Sequence, residues 1–450
     1  MKTSPAAHDN LVCCAPYRST GCGTCPTRPG NGGSGVSRTK RSALLALSSI
    51  PLIMTLGNSM LIPVLPAIRR KLELTPLQTS LIITVFSVMA ILFIPPAGWL
   101  SDRIGRKRVI LPCLALAGIG GAVCTAAIIW LKHPYPYLLA GRILQGIGAA
   151  GAAPIVMPLV GDMFKSKEQV SEGLGLIETS NTFGKVLSPI IGSVLAMLAW
   201  YAPFAAIPVF AAVAVLLVAL LVRAPAKKDE PQPLPAFLRT LRRIFRQKGR
   251  WLFAVFALGG LGMFILFASL VHLSDALEDR LGLDGVWKGA VLALPLAVLC
   301  TASYVTGKLI GERKRRMKVI ATAGFALSAC ATGACAAADG IWLQLALFSA
   351  AGLGIGAALP CLDAFITEGI DEAHRGTVGS FYSSMRFAGV ALGPPAASLL
   401  GRPNADPLFW CLAGAGAVSA LVAWLAIRPG EPNPRVYTGP RLVGRPSPSR

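Results

Sequence analysis

Residues 98–108 of the 450-residue chain read Gly98-Trp-Leu-Ser-Asp-Arg-Ile-Gly-Arg-Lys-Arg108. This stretch lies between two long apolar runs. One carboxylate, Asp102, stands among four cations, beside Gly98 and Gly105. Glycine permits tight turns and close approaches that other residues do not. The stretch is therefore predicted to be a short, highly charged turn between two membrane spans.

The composition indicates an integral membrane protein. Hydrophobic residues make up 54% of the chain and charged residues only 14%, a balance that a soluble core of this length cannot absorb. Apolar runs of about 20 residues recur, and each is long enough to cross the hydrocarbon core as an α-helix. Helices are favoured over strands because each span satisfies its own backbone hydrogen bonds.

Twelve spans are predicted, at 43–68, 77–100, 109–131, 136–161, 172–197, 203–223, 251–274, 286–310, 319–338, 341–364, 377–401 and 406–427. With the N-terminus in the cytoplasm, about 33 Lys and Arg fall in inner loops and tails and about 7 in outer loops. This asymmetry predicts a multi-pass plasma-membrane protein with both termini cytoplasmic. The net charge of +22 then reflects topology, and no basic face with interleaved aromatic residues predicts nucleic-acid binding.

The spans divide six and six. The predicted parts are a basic, disordered cytoplasmic tail (1–41), an N-terminal six-helix bundle (42–223), a cytoplasmic linker with an amphipathic helix (224–250), a C-terminal bundle (251–428) and a cytoplasmic tail (429–450). The Gly-rich run that starts at Gly146 returns at Gly352, and Gly184…Pro189 returns as Gly389…Pro394. Offsets of 206 and 205 residues predict two homologous bundles in the same orientation.

The cysteines do not predict a metal site within the spans. Four of the eleven lie in the first 25 residues, and Cys22-Gly-Thr-Cys25 has the spacing of a metal or redox pair. It lacks a strand–helix context and a second ligand pair apart from the adjacent Cys13 and Cys14. A disordered tail is the preferred interpretation, with no metal and no cofactor.

The motif at 98–108 resembles the loop 2–3 signature of the major facilitator superfamily. The run Arg142-Ile-Leu-Gln-Gly-Ile-Gly resembles the fourth-helix motif of the same family. The resemblance covers about residues 42–428 and implies an all-α membrane protein, with twelve transmembrane helices in two pseudo-symmetric six-helix bundles. It also implies transport by alternating access.

The fifth span narrows the resemblance. Gly184, Pro189 and Gly192 resemble the Gly-Pro motif of twelve-span drug:proton antiporters, although Ser188 and Ser193 replace two of its glycines. Gly389 and Pro394 are the counterparts in the eleventh span. The wider context is similar to bacterial exporters of drugs and siderophores.

The charged turn is expected to be a cytoplasmic latch. Asp102 can pair with Arg106 and accept hydrogen bonds from a neighbouring helix N-terminus, while Gly98 and Gly105 allow the turn. Arg103 belongs to the same gating motif. The alternative is simple positive-inside charge, which would require neither the glycine spacing nor the lone acid.

Four charged residues are predicted inside spans: Arg142, Glu178, Lys185 and Arg386. Each costs about 2.5–3.5 kcal/mol to insert, so they are expected to face a polar cavity or one another. Glu178, Asn181 and Lys185 share one helix face, and Glu178 is the preferred proton carrier because burial penalises a charged carboxylate.

Each of these charges has an alternative role. Glu178 can instead form a structural ion pair with Arg142 or Arg386. Arg142, which the resemblance links to proton handling, can instead be a snorkelling boundary residue. Arg386 can bind an oxygen-rich anion bidentately or be structural.

The sequence predicts a secondary transporter and not an enzyme. No Gly-x-x-x-x-Gly-Lys-Ser/Thr motif and no nucleophile–base pair is present, so the proton gradient is the expected energy source. The expected partners are a small amphiphilic substrate, protons and the lipid bilayer, with no nucleic acid, and the chain is expected to act as a monomer. An importer or uniporter of the same fold and a lipid flippase are the alternatives.

Overall fold

The computed structural model describes residues 38–164, 167–222, 234–310, 314–370, 372–401 and 404–427. These residues form thirteen α-helices: α1 Arg38–Ser59, α2 Leu65–Lys71, α3 Pro76–Ile104, α4 Arg106–Trp130, α5 Tyr135–Met163, α6 Lys167–Leu198, α7 Ala202–Leu221, α8 Leu234–Leu281, α9 Gly285–Leu309, α10 Lys314–Ala334, α11 Ile341–Gly369, α12 Glu372–Leu400 and α13 Asp406–Ala426. Two 3-10 turns, Ile62–Val64 and Cys335–Ala337, follow α1 and α10.

The twelve predicted spans all correspond to helices. Within the described residues, eleven stretches have the length and hydropathy of a membrane span, and α12, with 29 residues, completes the set. The first span is not one continuous helix as predicted. It breaks after Ser59 into a 3-10 turn and the short α2, because Pro63 and Pro66 cannot donate backbone hydrogen bonds within a helix.

The helices pack as two equivalent bundles of six spans. In the first, α1 packs on α6, α3 on α5, and α4 on α5 and α7. In the second, α8 packs on α12, α9 on α11, and α10 on α11 and α13. Between the bundles, α3 packs on α12 and α6 on α9, and these two interfaces are equivalents of each other. The structure therefore has the pseudo-symmetry that the sequence repeat predicts.

The repeated glycines explain why the equivalent helices meet. A Cβ on Gly146 would collide with the carbonyl oxygen of Phe86 on α3. A Cβ on Gly352 would lie 2.8 Å from the carbonyl oxygen of Pro295 on α9. Both glycines let two backbones approach more closely than a side chain would allow. The offset of 206 residues thus marks the same contact in each half.

The charged motif is almost entirely helical, whereas a turn was predicted for it. Only Gly105, at φ +104°, separates α3 from α4, so Asp102 lies in the last turn of α3 and Arg106 begins α4. A positive φ suits glycine, because a Cβ would be strained there. The predicted turn is therefore two helix ends joined by one residue.

The seventh span was predicted to begin at 251, close to the start of the apolar stretch at Gly249, but its predicted end at 274 was wrong. It was placed at 251–274, whereas α8 runs without interruption from Leu234 to Leu281. The amphipathic segment at 237–245 is therefore continuous with the span, because no proline follows Pro235 until the helix has ended. At the other end α8 continues through Asp275, Glu278 and Asp279, which all occupy helical positions.

Several predictions lie outside the described residues. They are the two tails up to residue 37 and from residue 428, including Cys13, Cys14, Cys22 and Cys25, and the first part of the linker, 223–233. No group of three or more potential metal ligands occurs within the described residues.

Candidate substrate and gating site

The Gly98–Arg108 motif connects four helices of the first bundle. We call its end of the molecule the inner end, because the charge distribution predicts that it faces the cytoplasm. Arg106 pairs with Asp102 at 3.1 Å and also with Asp162 at the end of α5. Lys107 donates to the carbonyl oxygens of Ala219 and Val222, at 2.9 and 2.6 Å, where α7 ends. The motif thus holds the inner ends of α3, α4, α5 and α7 together.

Gly98 brings the motif against the second bundle. A Cβ on Gly98 would lie 3.2 Å from Ser380 Oγ and 3.9 Å from Ser380 Cβ on α12. The Ser384 hydroxyl, one turn further along α12, donates to the carbonyl oxygen of Ile91 on α3 at 3.4 Å. The two bundles are therefore in contact at the inner end.

Arg142 is fully buried, and its hydrogen-bond acceptors among the described residues are all neutral. Its side chain donates to the carbonyl oxygen of Ile82 at 2.8 Å and to the side-chain oxygens of Gln145 and Asn58, both at 2.5 Å. Its guanidinium lies 4.5 Å from the centre of the Phe86 ring. Arg142 is 0% exposed, which does not fit a snorkelling boundary residue. Within the described residues it forms no ion pair with Glu178 either.

The remaining predicted charges meet where the two bundles face each other. Lys185 on α6 interacts electrostatically with Glu178 on its own helix, and with Asp363 on α11 and Arg386 on α12. Arg386 pairs with Asp363 at 3.8 Å, and its guanidinium lies 5.7 Å from the centre of the Tyr382 ring. We call Glu178, Lys185, Asp363 and Arg386 the central charge cluster. It draws two residues from each bundle.

Glu178 and Lys185 share a helix face but do not pair. Within the described residues Glu178 has no cationic partner within 4.0 Å, so the predicted ion pair with Arg142 or Arg386 is not formed in this conformation. Asn181, between them on α6, accepts a hydrogen bond from the Thr55 hydroxyl of α1 at 2.6 Å. The hydrogen bond of Asn181 therefore ties this face of α6 to α1, with Glu178 one turn before it and Lys185 one turn after it.

The exporter-like motif packs α6 and α12 against their partners. A Cβ on Gly192 would collide with the Met60 carbonyl oxygen, and one on Gly184 would lie 3.2 Å from that of Leu52. In the second bundle, a Cβ on Gly389 would collide with the carbonyl oxygen of Gly260 on α8. The motif thus sets the closeness of α6 to α1 and of α12 to α8.

The two prolines of that motif lie inside their helices. Pro189 interrupts α6 and Pro394 interrupts α12. A Cβ on Gly289 of α9 would lie 2.5 Å from the Pro189 carbonyl oxygen, so this part of α6 touches the second bundle directly. Because proline removes a helix hydrogen bond, both helices have a position at which they can bend.

An ion-pair cluster joins the bundles at the opposite, outer end. Arg69 on α2 pairs with Asp275 and Asp279 on α8, at 3.4 and 3.9 Å. Arg70 pairs with Glu278, and Lys288 on α9 binds the same carboxylate at 2.7 Å. Lys288 is 2% exposed.

One of the outer ion pairs joins two residues at equivalent positions of the two halves. Arg69 and Asp275 are separated by 206 residues, the offset that relates Gly146 to Gly352. Equivalent positions of the two halves therefore carry opposite charges and contact each other, as residues at a two-fold axis do.

Sequence reasoning missed Asp162, Asp363 and the outer ion pairs. Asp363 was overlooked because the tenth span was predicted to end at 364, which placed it at the membrane boundary. The acids of α8 were assigned to an outer loop after 274. The available signal was the charge of Asp275, which is opposite to that of Arg69, its equivalent at the offset of 206 residues.

Two apolar bundles in contact at both ends, with a cluster of charges between them, define a membrane transporter. The sequence profile of the Major Facilitator Superfamily matches residues 47–394 and, in a second match, 313–446. The chain belongs to this superfamily.

Its relatives include bacterial efflux proteins. It is 53% identical over 363 residues to the bacillibactin exporter of Bacillus subtilis (strain 168), an alignment that covers 80% of this chain and 90% of the relative. It is 26% identical over 407 residues to the class C tetracycline resistance protein of Escherichia coli, covering 86% and 97%. The crystal structure of the human organic anion transporter MFSD10 superposes with a TM-score of 0.66 at 19% identity, covering 85% and 99%. The chain is thus a secondary exporter of this superfamily.

The inner contact predicts a disulfide between the bundles. Gly98→Cys with Ser380→Cys, in a background without the eleven native cysteines, should cross-link on oxidation, because the 3.9 Å between the two β-carbons lies within the disulfide range of about 3.5–4.5 Å. Oxidation should stop transport and reduction should restore it. Each single variant is the control, and a double variant that stays active when oxidised would contradict the closed inner end.

The neutral hydrogen bonds of Arg142 predict a loss of stability in Arg142→Lys. An ammonium cannot reach the Ile82, Asn58 and Gln145 acceptors together, and each acceptor left without a partner costs about 1–3 kcal/mol. Thermal unfolding in detergent should show a midpoint several degrees lower, since 1 kcal/mol shifts it by about 2–4 °C in larger domains. The exposed Arg250→Lys is the control, and equal midpoints for both variants would refute the assignment.

The outer ion pairs predict that Arg69→Asp opens the outer end. Repulsion from Asp275 and Asp279 should raise the rate at which an impermeant maleimide, added to intact cells, labels a cysteine placed at Ser59. The double variant Arg69→Asp with Asp275→Arg should return the rate towards that of the parent. Arg280→Asp, which adds the same charge at this end, is the control, and an equal rise there would mean that the specific pairs do not matter.

Proposed function

We propose that the chain is a proton-driven exporter of a siderophore of the bacillibactin kind. The observation that carries the proposal is the central charge cluster, because its acids and bases lie between two bundles that touch at both ends. The 53% identity to a bacillibactin exporter supports the choice of substrate. The chain acts as a monomer in the plasma membrane, with both termini in the cytoplasm, and uses no cofactor.

Alternating access follows from contacts that can open one end at a time. At the inner end Gly98 lies against Ser380, and at the outer end Arg69 pairs with Asp275. Each end must separate while the other stays closed, so substrate and protons reach the central charge cluster from one side only. Such a cycle yields net transport only if the two ligands favour different conformations.

The two acids of the central charge cluster have different roles in this proposal. Asp363 pairs with Arg386 at 3.8 Å, and this contact holds the guanidinium in position. Glu178 has no cation within 4.0 Å among the described residues, so its carboxylate can take up and release a proton without breaking an ion pair. Glu178 is therefore the proton carrier, and Asp363 keeps Arg386 in position.

Export is favoured over the two alternatives. An importer or uniporter of this fold would not need the Gly184–Gly192 motif, which here sets the packing of α6 on α1. A lipid flippase would need a cavity that opens sideways to lipid, whereas α3 packs on α12 and α6 on α9 along both seams between the bundles. The efflux proteins among the relatives support the same direction.

Glu178→Gln should abolish export driven by a pH gradient while leaving substrate exchange at equal pH intact. Glutamine keeps the size of the side chain but cannot release a proton, so only the coupled step is lost. The measurement uses bacillibactin flux into proteoliposomes with and without an imposed pH gradient.

Thr179→Ala, at the neighbouring exposed position of α6, is the matched control. Asp363→Asn should differ from Glu178→Gln by reducing both kinds of flux, because Arg386 loses its partner. Gradient-driven export at the parental rate in Glu178→Gln would remove the proton role from this residue.

A further inference from the structure

Lys185 is the buried cation of the central charge cluster that has no close partner. It is 8% exposed, and within the described residues it forms no ion pair or hydrogen bond with a side chain, although Glu178, Asp363 and Arg386 act on it over longer distances. Arg386, by contrast, is held by Asp363 at 3.8 Å and lies against the Tyr382 ring.

A buried ammonium without a partner is costly. Taking a charge out of water is compensated only by an opposite charge or by hydrogen bonds at short range. Proteins that keep such a group at a cost in stability commonly use it at a binding or catalytic site. Lys185 can therefore bind an anion that arrives from outside the protein.

The residues around Lys185 indicate that the rest of such an anion is apolar. Lys185 lines a small cavity between the bundles, together with Ser59, Ile62 and Pro189 of the first bundle. The opposite wall is entirely apolar and comes from the second bundle: Leu266, Phe267 and Leu270 of α8, with Leu292 and Leu296 of α9. Only apolar atoms of the two bundles face this cavity, so Lys185 lines it with its hydrocarbon chain.

We propose that Lys185 is the anion anchor of the substrate site, and that the substrate is an amphiphilic anion. Its apolar part lies on the α8–α9 wall beside the hydrocarbon chain of Lys185, and its acidic oxygen binds the ammonium at the end of that chain. The inference rests on the proposed function, which it deepens by assigning the recognised charge to one residue. Because anchor and wall belong to different bundles, such a substrate contacts both.

The proposed anion site at Lys185 and the proposed proton carrier Glu178 are separate positions on α6. Lys185 lies two helical turns from Glu178 on the same face of α6, about 10 Å along the helix. An anion bound at Lys185 therefore need not displace a proton from Glu178 by contact. Its charge instead acts on Glu178 at a distance, and the two occupancies influence each other through the field between them.

Substitution of Lys185 tests the anchor by the charge of the probe. Binding to the purified full-length protein is measured with three probes: bacillibactin, bacillibactin whose acidic hydroxyls are methylated, and ethidium as an amphiphilic cation. Lys185→Gln should weaken binding of bacillibactin by about tenfold or more, since a hydrogen bond to a charged group is lost. Binding of the methylated form and of ethidium should change by less than about threefold. Lys185→Arg keeps the charge, so it should still bind bacillibactin more tightly than the methylated form.

Thermal unfolding without ligand separates an anchor from a structural lysine. Lys185→Met should unfold at the same temperature as the parent or higher, because it removes a buried charge that has no close partner. A lower midpoint for Lys185→Met, or equal weakening of all three probes in Lys185→Gln, would overturn the anchor.

The proposed function can fail separately. If the parent protein does not export bacillibactin, that function is refuted. The anchor is then decided with 1-naphthoate and its methyl ester in the same binding assay. It is supported if Lys185→Gln weakens only the anion, and overturned if it affects both alike.

Discussion

The cost of placing ionised side chains inside an apolar helical bundle governs the arrangement of this molecule. Each such charge costs about 2.5–3.5 kcal/mol on insertion scales unless it finds partners. Arg142 meets that demand within the first bundle by binding three neutral oxygens. Of the other charges, Asp363 and Arg386 of the second bundle pair with each other at 3.8 Å, while Lys185 of the first bundle faces them over longer distances and has no close partner among the described residues. Their need for partners makes the interface between the bundles the polar part of the protein.

The scaffold is symmetric and its charges are not. Gly146 and Gly352 make the same close approach in each half, and the helix pairs of one bundle recur in the other. Arg142 has no charged counterpart in the second bundle, because Phe348 stands at the position related to it by the offset of 206 residues. At the outer end the asymmetry becomes a contact, since Arg69 pairs with its own equivalent, Asp275. A symmetric scaffold lets the bundles rock, and the asymmetric charges give each half a separate chemical role.

The sequence predicted the scaffold well and the contacts between the bundles poorly. Hydropathy and the glycine offsets depend on one helix or one helix pair at a time, and they predicted the spans and the two homologous bundles. Arg142, Glu178, Lys185 and Arg386 were found because charges in apolar runs are conspicuous. Asp363 and Asp275 were missed because a shift of a few residues in a helix end decides whether an acid belongs to a loop or to a site. Their partners are distant in sequence, so only the fold could reveal the pairs.

The central claim is that the two ends of the bundle interface open in alternation. It is tested most directly by spin-label distances in nanodiscs, with one pair at positions 103 and 376 of the inner end and another at 71 and 280 of the outer end. Changing pH, and then adding bacillibactin, should lengthen one distance distribution while the other shortens. If both distances change in the same direction, or neither responds, the account of alternating access around the central charge cluster is contradicted.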